Sequence, residues 1–148
     1  MPAIKKILCP VDFSAGSKTA LTYAEGLAKR LGAELYLVHA YENPVYVLPM
    51  SGYVGPTAEI LAGVRQQIDE ELVRWKASVA KEGLTVRGDV FEGAPYRVVL
   101  DAADEYKPDL IVMGTHGRTG IAHVVIGSVA ERVVRLAHCP VLTVRTSH

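Results

Sequence analysis

Residues 114–128 carry glycines at 114, 117, 120 and 127, with Arg118 after the second and Ser128 after the last. Glycines this close let backbone N–H groups approach an anion with no side chain in the way. A Gly–Ser pair opening a helical pattern adds the free N–H groups and the dipole of a helix N-terminus, which together suit phosphate. Arg118 adds a charge at the rim. The loop is not a P-loop, since no lysine follows a glycine at the required offset, and its spacing is not that of the GxGxxG dinucleotide fingerprint.

Plainer readings stand beside this one. Ser128 and Glu131 form an S-x-x-E capping box that needs no ligand, and Gly114, Gly117 and Gly120 serve equally as turn residues. Asp12, just past the apolar run that ends Pro10-Val11, is either a ligand contact or a helix-capping or turn residue. As a residue at the rim it is expected to carry little of the fold.

Other reactive side chains point to no catalytic set. His39 lies in an apolar run and reads as a core histidine. His116 and His123 lack metal-ligand spacing and are joined by no Cys or carboxylate cluster, so no metal site is expected. His138 and Cys139 beside Pro140 read as structural. No Ser-His-Asp or Cys-His arrangement can be assembled, and no catalytic residue is assigned. Trp75 falls on an apolar helical stripe and reads as core.

These residues must be positioned by the elements around them. Apolar runs at Ile4–Val11, Ala33–Ala40, Thr85–Phe91, Asp109–Met113 and Val141–Val144 predict five strands, each apolar throughout. Between them lie helical patterns at Ser17–Leu31, ending at Gly32, and Ala58–Lys81, with its stripe Leu61, Val64, Ile68, Leu72, Trp75 and Val79. A third helix opens at Pro95 and turns Val98, Val99, Ala102 and Ala103 inward. The fourth runs Ser128–Ala137. Residues 42–56, with three prolines and two glycines, read as a loop.

Apolar strands alternating with helices imply an α/β fold, a doubly wound five-stranded parallel sheet with helices on both faces. In the flavodoxin-like order 3-2-1-4-5, the first and fourth strands are neighbours at the switch point where such sheets bind ligands. Asp12 and Gly114 end those two strands.

The length of 148 residues suits one domain, residues 1–148. Sixteen Lys and Arg balance sixteen Asp and Glu, which removes any bulk drive toward nucleic acid or anionic membrane. The apolar run after Lys5 and Lys6 is too short for a signal peptide, and no stretch approaches a membrane span. Cys9 and Cys139 read as buried thiols in a reducing compartment, so a soluble, cytoplasmic protein is expected.

Gly114, Gly117, Gly127 and Ser128 match the glycine–two–glycine–nine–glycine–Ser/Thr pattern of the universal stress protein family, which the chain resembles over essentially its whole length. KKILCPVDFS, LVHAYE and HCPVLTVR resemble the family's first, second and closing strands. The resemblance implies the fold just described and places the chain with family members that bind ATP. It implies that Val11 and Asp12 meet the adenine or ribose, with Ala40 beside the base. Gly114, His116, Gly117 and Arg118 would wrap the phosphates, and Gly127, Ser128 and Val129 would close the site. Pro10 and Met113, immediately before Val11 and Gly114, complete the set. ATP with Mg²⁺ is the implied ligand; ADP, AMP and cyclic AMP fit the same spacing.

The leading function is a nucleotide-binding regulatory module of the stress response. The alternatives are a slow ATPase or self-phosphorylating enzyme using the same loop, and a ligand-free dimeric interaction protein. Against the enzyme stands Asp12 as the only carboxylate expected near the pocket. Val141–Val144 is short and apolar at a sheet edge, so a twofold homodimer through that strand is expected.

Overall fold

The computed structural model describes residues 2–42, 57–117 and 126–146. Arg118, Gly120, His123 and all but Glu42 of the expected 42–56 loop lie outside them. Five strands form one parallel sheet: β1 (Lys6–Pro10), β2 (Glu34–Tyr41), β3 (Val86–Glu92), β4 (Leu110–Gly114) and β5 (Val141–Val144). Their order is β3-β2-β1-β4-β5, as expected. The helices are α1 (Ala15–Leu31), α2 (Ala58–Lys81), α3 (Pro95–Tyr106) and α4 (Ser128–Leu136).

Alternation along the central strands builds two cores. Ile7 and Cys9 of β1 face α1 and α2 with Leu21, Leu37 and Leu72. Leu8, on the opposite face, packs with Val38, Val99, Ile111 and Val133 under α3 and α4. Among the described residues no helix is long and apolar enough to cross a membrane.

Two expectations about the elements change. β3 is not apolar throughout: as an edge strand it alternates half-buried and exposed residues, with Arg87 and Asp89 outward. The helix α1 starts two residues before Ser17, because Ser14 is its N-cap and accepts the Ser17 N–H at 3.1 Å. At its other end Gly32 takes the left-handed conformation, φ 65°, and its N–H bonds the Ala28 carbonyl.

Candidate functional site

β1 and β4 pair directly, Ile7 beside Leu110 and Leu8 beside Ile111, so their carboxyl ends open at one place. A cleft of about 860 Å³ lies there. Pockets for small organic ligands span about 300–1,000 Å³, so a nucleotide fits. Pro10, Val11 and Asp12 line it from β1, Ala40 from β2, and Met113 and Gly114 from β4. His116 and Gly117 follow from the loop, and Gly127, Ser128 and Val129 from the start of α4. The topology thus gathers all the sequence-expected residues that the structure describes; Arg118 is outside those residues.

The β1 end is a tight turn that satisfies itself. Asp12 Oδ1 accepts the Ser14 N–H at 3.0 Å and also the Ser14 hydroxyl. The Asp12 N–H reaches Ser17 Oγ at 3.3 Å, and the Ser17 hydroxyl donates to the Ser14 carbonyl at 3.1 Å. Asp12 therefore anchors the turn into α1, against the expectation that it carries little of the fold. Between these residues Phe13 sits at φ 64°, a conformation strained for an aromatic residue. Its ring is held by stacking on His39 at 4.4 Å and an edge contact with Trp75 at 5.3 Å. His39 is buried, as expected, with Nδ1 2.8 Å from the Val11 carbonyl. A carbonyl only accepts, so Nδ1 carries the proton and the ring fixes the strand end beneath the cleft.

The β4 end depends on close backbone approach. A Cβ on Gly127 would lie 2.9 Å from the Thr115 carbonyl oxygen, which already accepts the Gly127 N–H at 2.6 Å. A Cβ on Gly117 would lie 2.5 Å from Asp12 Oδ2, and one on Gly114 would lie 3.2 Å from the Gly16 carbonyl. None of these three has positive φ, so proximity rather than dihedral freedom demands glycine. Gly16, unremarked in the sequence, completes the contact: its own Cβ would meet the His116 carbonyl at 2.9 Å.

The capping box at Ser128 does not form. Gly127 is the N-cap of α4, no side chain among the described residues caps it, and Ser128 is the first helical residue. Glu131 is one position too deep to reach back, and instead pairs with Arg135 at 3.3 Å. The first-turn N–H groups of α4 thus need a partner from outside the helix, and Ser128, Val129 and Ala130 line the cleft.

Sequence reasoning missed several lining residues: Phe13, Ser17 and Thr115 near the strand ends, Val64 and Ile68 from α2, and Glu42 after β2. Glu42 corrects the expectation that Asp12 is the lone carboxylate. The sequence signal that points to Ser17 is the D-x-S-x-x-S spacing from Asp12; the helical pattern alone marks Ser17 only as a helix start. Cys9 is buried and its thiol is pushed up to about 12, mainly by burial, so it is no nucleophile at neutral pH. Cys139, expected buried, is only partly so. Among the described residues no cluster of His, Cys, Asp and Glu is arranged to hold a metal ion.

Residues 3–145 match the model of the universal stress protein family. A universal stress protein of Methanocaldococcus jannaschii is 37% identical over 142 residues, 95% of this chain and 82% of that protein. The universal stress protein UspA from Lactobacillus plantarum has a TM-score of 0.81 at 26% identity, covering 98% of this chain and 100% of that one. A universal stress protein solved in complex with cAMP has a TM-score of 0.73 at 27% identity, covering 99% and 100%.

Proposed function

The chain belongs to the universal stress protein family, and we propose that it is an adenine-nucleotide-binding regulatory protein, with ATP as its ligand. The start of α4 carries this reading: a helix N-terminus with no side-chain cap, reached through Gly127, opens into a nucleotide-sized cleft. The relative that binds cAMP lends support from its own complex. In this reading the phosphates sit on the N–H groups of Ser128 and Val129, where the helix dipole favours negative charge. Gly114 and Gly117 leave the phosphates room, Arg118 adds charge, and Mg²⁺ accompanies the triphosphate. The base and ribose lie between Val11, Asp12 and Ala40, over the apolar Val38, Met113 and Ile68. A homodimer through β5 and a cytoplasmic location belong to the same proposal; the apolar strand edge supports the first and the unpaired cysteines the second.

Turnover is the weaker reading: of the two carboxylates among the described lining residues, Asp12 and Glu42, the first is engaged by the turn it anchors.

Denaturing the purified chain and identifying any released nucleotide by mass spectrometry tests the proposal, together with thermal melts. A ligand at one hundred times Kd stabilises by about 2.7 kcal/mol, a rise of roughly 5–10 °C for a chain of this size. ATP with Mg²⁺ should produce that rise. A chain that releases no nucleotide and shows no shift with millimolar ATP, ADP, AMP or cyclic AMP overturns the reading.

A further inference from the structure

A cluster on the α3 side of the sheet, apart from the cleft lining, is built from aromatic rings and charges. Tyr36 of β2 and Tyr106 at the end of α3 lie against each other with ring centroids 4.6 Å apart and planes tilted by 36°. Each phenol donates to a carboxylate: Tyr36 to Asp89 at 2.8 Å, and Tyr106 to Glu34 at 2.8 Å. The Arg87 guanidinium lies 5.3 Å from the Tyr106 ring, 6.0 Å from the Tyr36 ring and 3.6 Å from Glu34. The Lys6 ammonium lies 5.0 Å from the Tyr106 ring. Burial, then the bond to Glu34, pushes the Tyr106 phenol up to about 12, and burial with Asp89 moves Tyr36 the same way. Both rings are therefore protonated at neutral pH, and removing an electron from either requires somewhere for the proton to go.

We propose that Tyr36 and Tyr106 form an oxidative coupling site, at which one-electron oxidants convert the adjacent ring pair into a dityrosine link between β2 and α3. Each phenol gives one electron to a one-electron oxidant, such as a peroxidase intermediate or a photogenerated metal complex. Its proton passes along the existing hydrogen bond to Asp89 or Glu34, and from there to water. The two phenoxyl radicals, already in ring contact, join through a carbon–carbon bond between positions ortho to the oxygens. Each ring then loses the hydrogen at its coupled carbon and regains a phenolic O–H, restoring aromaticity. The pair loses two electrons and two protons, and two oxidant molecules are each reduced by one electron. The link would tie α3 to the sheet across a wide sequence separation, and chain crosslinks of that kind restrict the unfolded state.

The full chain, at low micromolar concentration, is photo-oxidised with ruthenium tris-bipyridyl and persulfate, separated under denaturing conditions and digested with trypsin. Dityrosine fluorescence is expected in the monomer-sized band. A crosslinked peptide joining residues 31–65 to residues 98–118 is expected, lighter by two hydrogens than its parts. Tyr36→Phe and Tyr106→Phe keep the rings and should each abolish this product, while Tyr23→Phe should retain it. Dityrosine confined to covalent dimers, a crosslink mapping to other tyrosines, or tyrosine loss without a monomeric crosslink overturns the proposal. Fragment ions that separate Tyr36 from Tyr41, Tyr46 and Tyr53 within residues 31–65 of the wild-type crosslink decide this even where a variant fails to fold.

Discussion

The helices that follow β1 and β4 lie on opposite faces of the sheet, Gly16 of α1 packing on Gly114 and His116 at the β4 end, and they treat their first turns in opposite ways. At α1 the turn is closed: Ser14 caps the Ser17 N–H, and Asp12 in turn holds both the backbone and the hydroxyl of Ser14. At α4 the capping position is a glycine whose N–H turns back to Thr115, and among the described residues no side-chain cap bond closes the turn. Both starts border the same cleft. A ligand gains little from donors already satisfied, whereas open N–H groups at a helix start must take water or an anion. In the proposed reading this contrast puts the anion at α4 and leaves α1 a supporting role.

The largest effect should come from Gly127→Val. Its side chain would meet backbone, the Thr115 carbonyl, which cannot swing aside. Overpacking of that kind costs about 1–3 kcal/mol, and the displaced helix start should abolish nucleotide binding. Gly117→Val should abolish binding too, but its clash is with the end of the Asp12 side chain at an exposed position, so the ligand-free melt should stay closer to wild type. Melts of both variants with and without Mg·ATP check this. Equal ligand-free melting of the two would remove the distinction between backbone and side-chain clash.

Asp12 comes next. Asp12→Ala removes two bonds to Ser14, an expected loss of about 1–3 kcal/mol. Asp12→Asn keeps an Oδ1 acceptor for the Ser14 N–H and should recover most of it. If Asp12 also meets the ligand through its charge, calorimetry should show Asn restoring stability but not affinity. Recovery of both would confine Asp12 to the turn; recovery of neither would count against the closed α1 turn itself.

The strand order and the gathering of Asp12 with the glycine loop were legible, because apolar runs and right-handed crossovers leave few arrangements. β3 was legible as a strand but not in character. An edge strand has one flank unpaired, and here Lys76 and Arg65 of α2 reach the Gly88 and Val90 carbonyls at 3.3 and 3.4 Å. Its alternating polar residues follow from that position, which periodicity alone does not reveal. The α4 cap was misread by one residue for a related reason. Gly–Ser followed by Glu permits either phase, and the choice is made by the Thr115 carbonyl drawing in the Gly127 N–H, a tertiary contact. Gly16 left no sequence signal as part of the site, since a glycine in a first helical turn acquires meaning only from what packs on it.

The smallest effects separate the two helix starts most cleanly, because they exchange one serine hydroxyl at each. Ser14→Ala removes a true N-cap and should cost about 1 kcal/mol of stability. That is a few degrees in a chain of this size. Nucleotide affinity should change little, since Ser14 faces Asp12 and the helix rather than the phosphates. Ser128→Ala removes no cap, because Gly127 holds that position, and stability without ligand should stay within about 0.5 kcal/mol of wild type. A hydroxyl at the open helix start should instead donate to the phosphates, and its loss should weaken binding by about 0.5–1.5 kcal/mol. Paired melts and titrations of the two variants should therefore cross, one serine moving stability and the other affinity. If Ser128→Ala lowers the ligand-free melting temperature as much as Ser14→Ala and leaves affinity unchanged, α4 is closed by its own serine in solution. An anion would then find no open first turn at α4 to occupy.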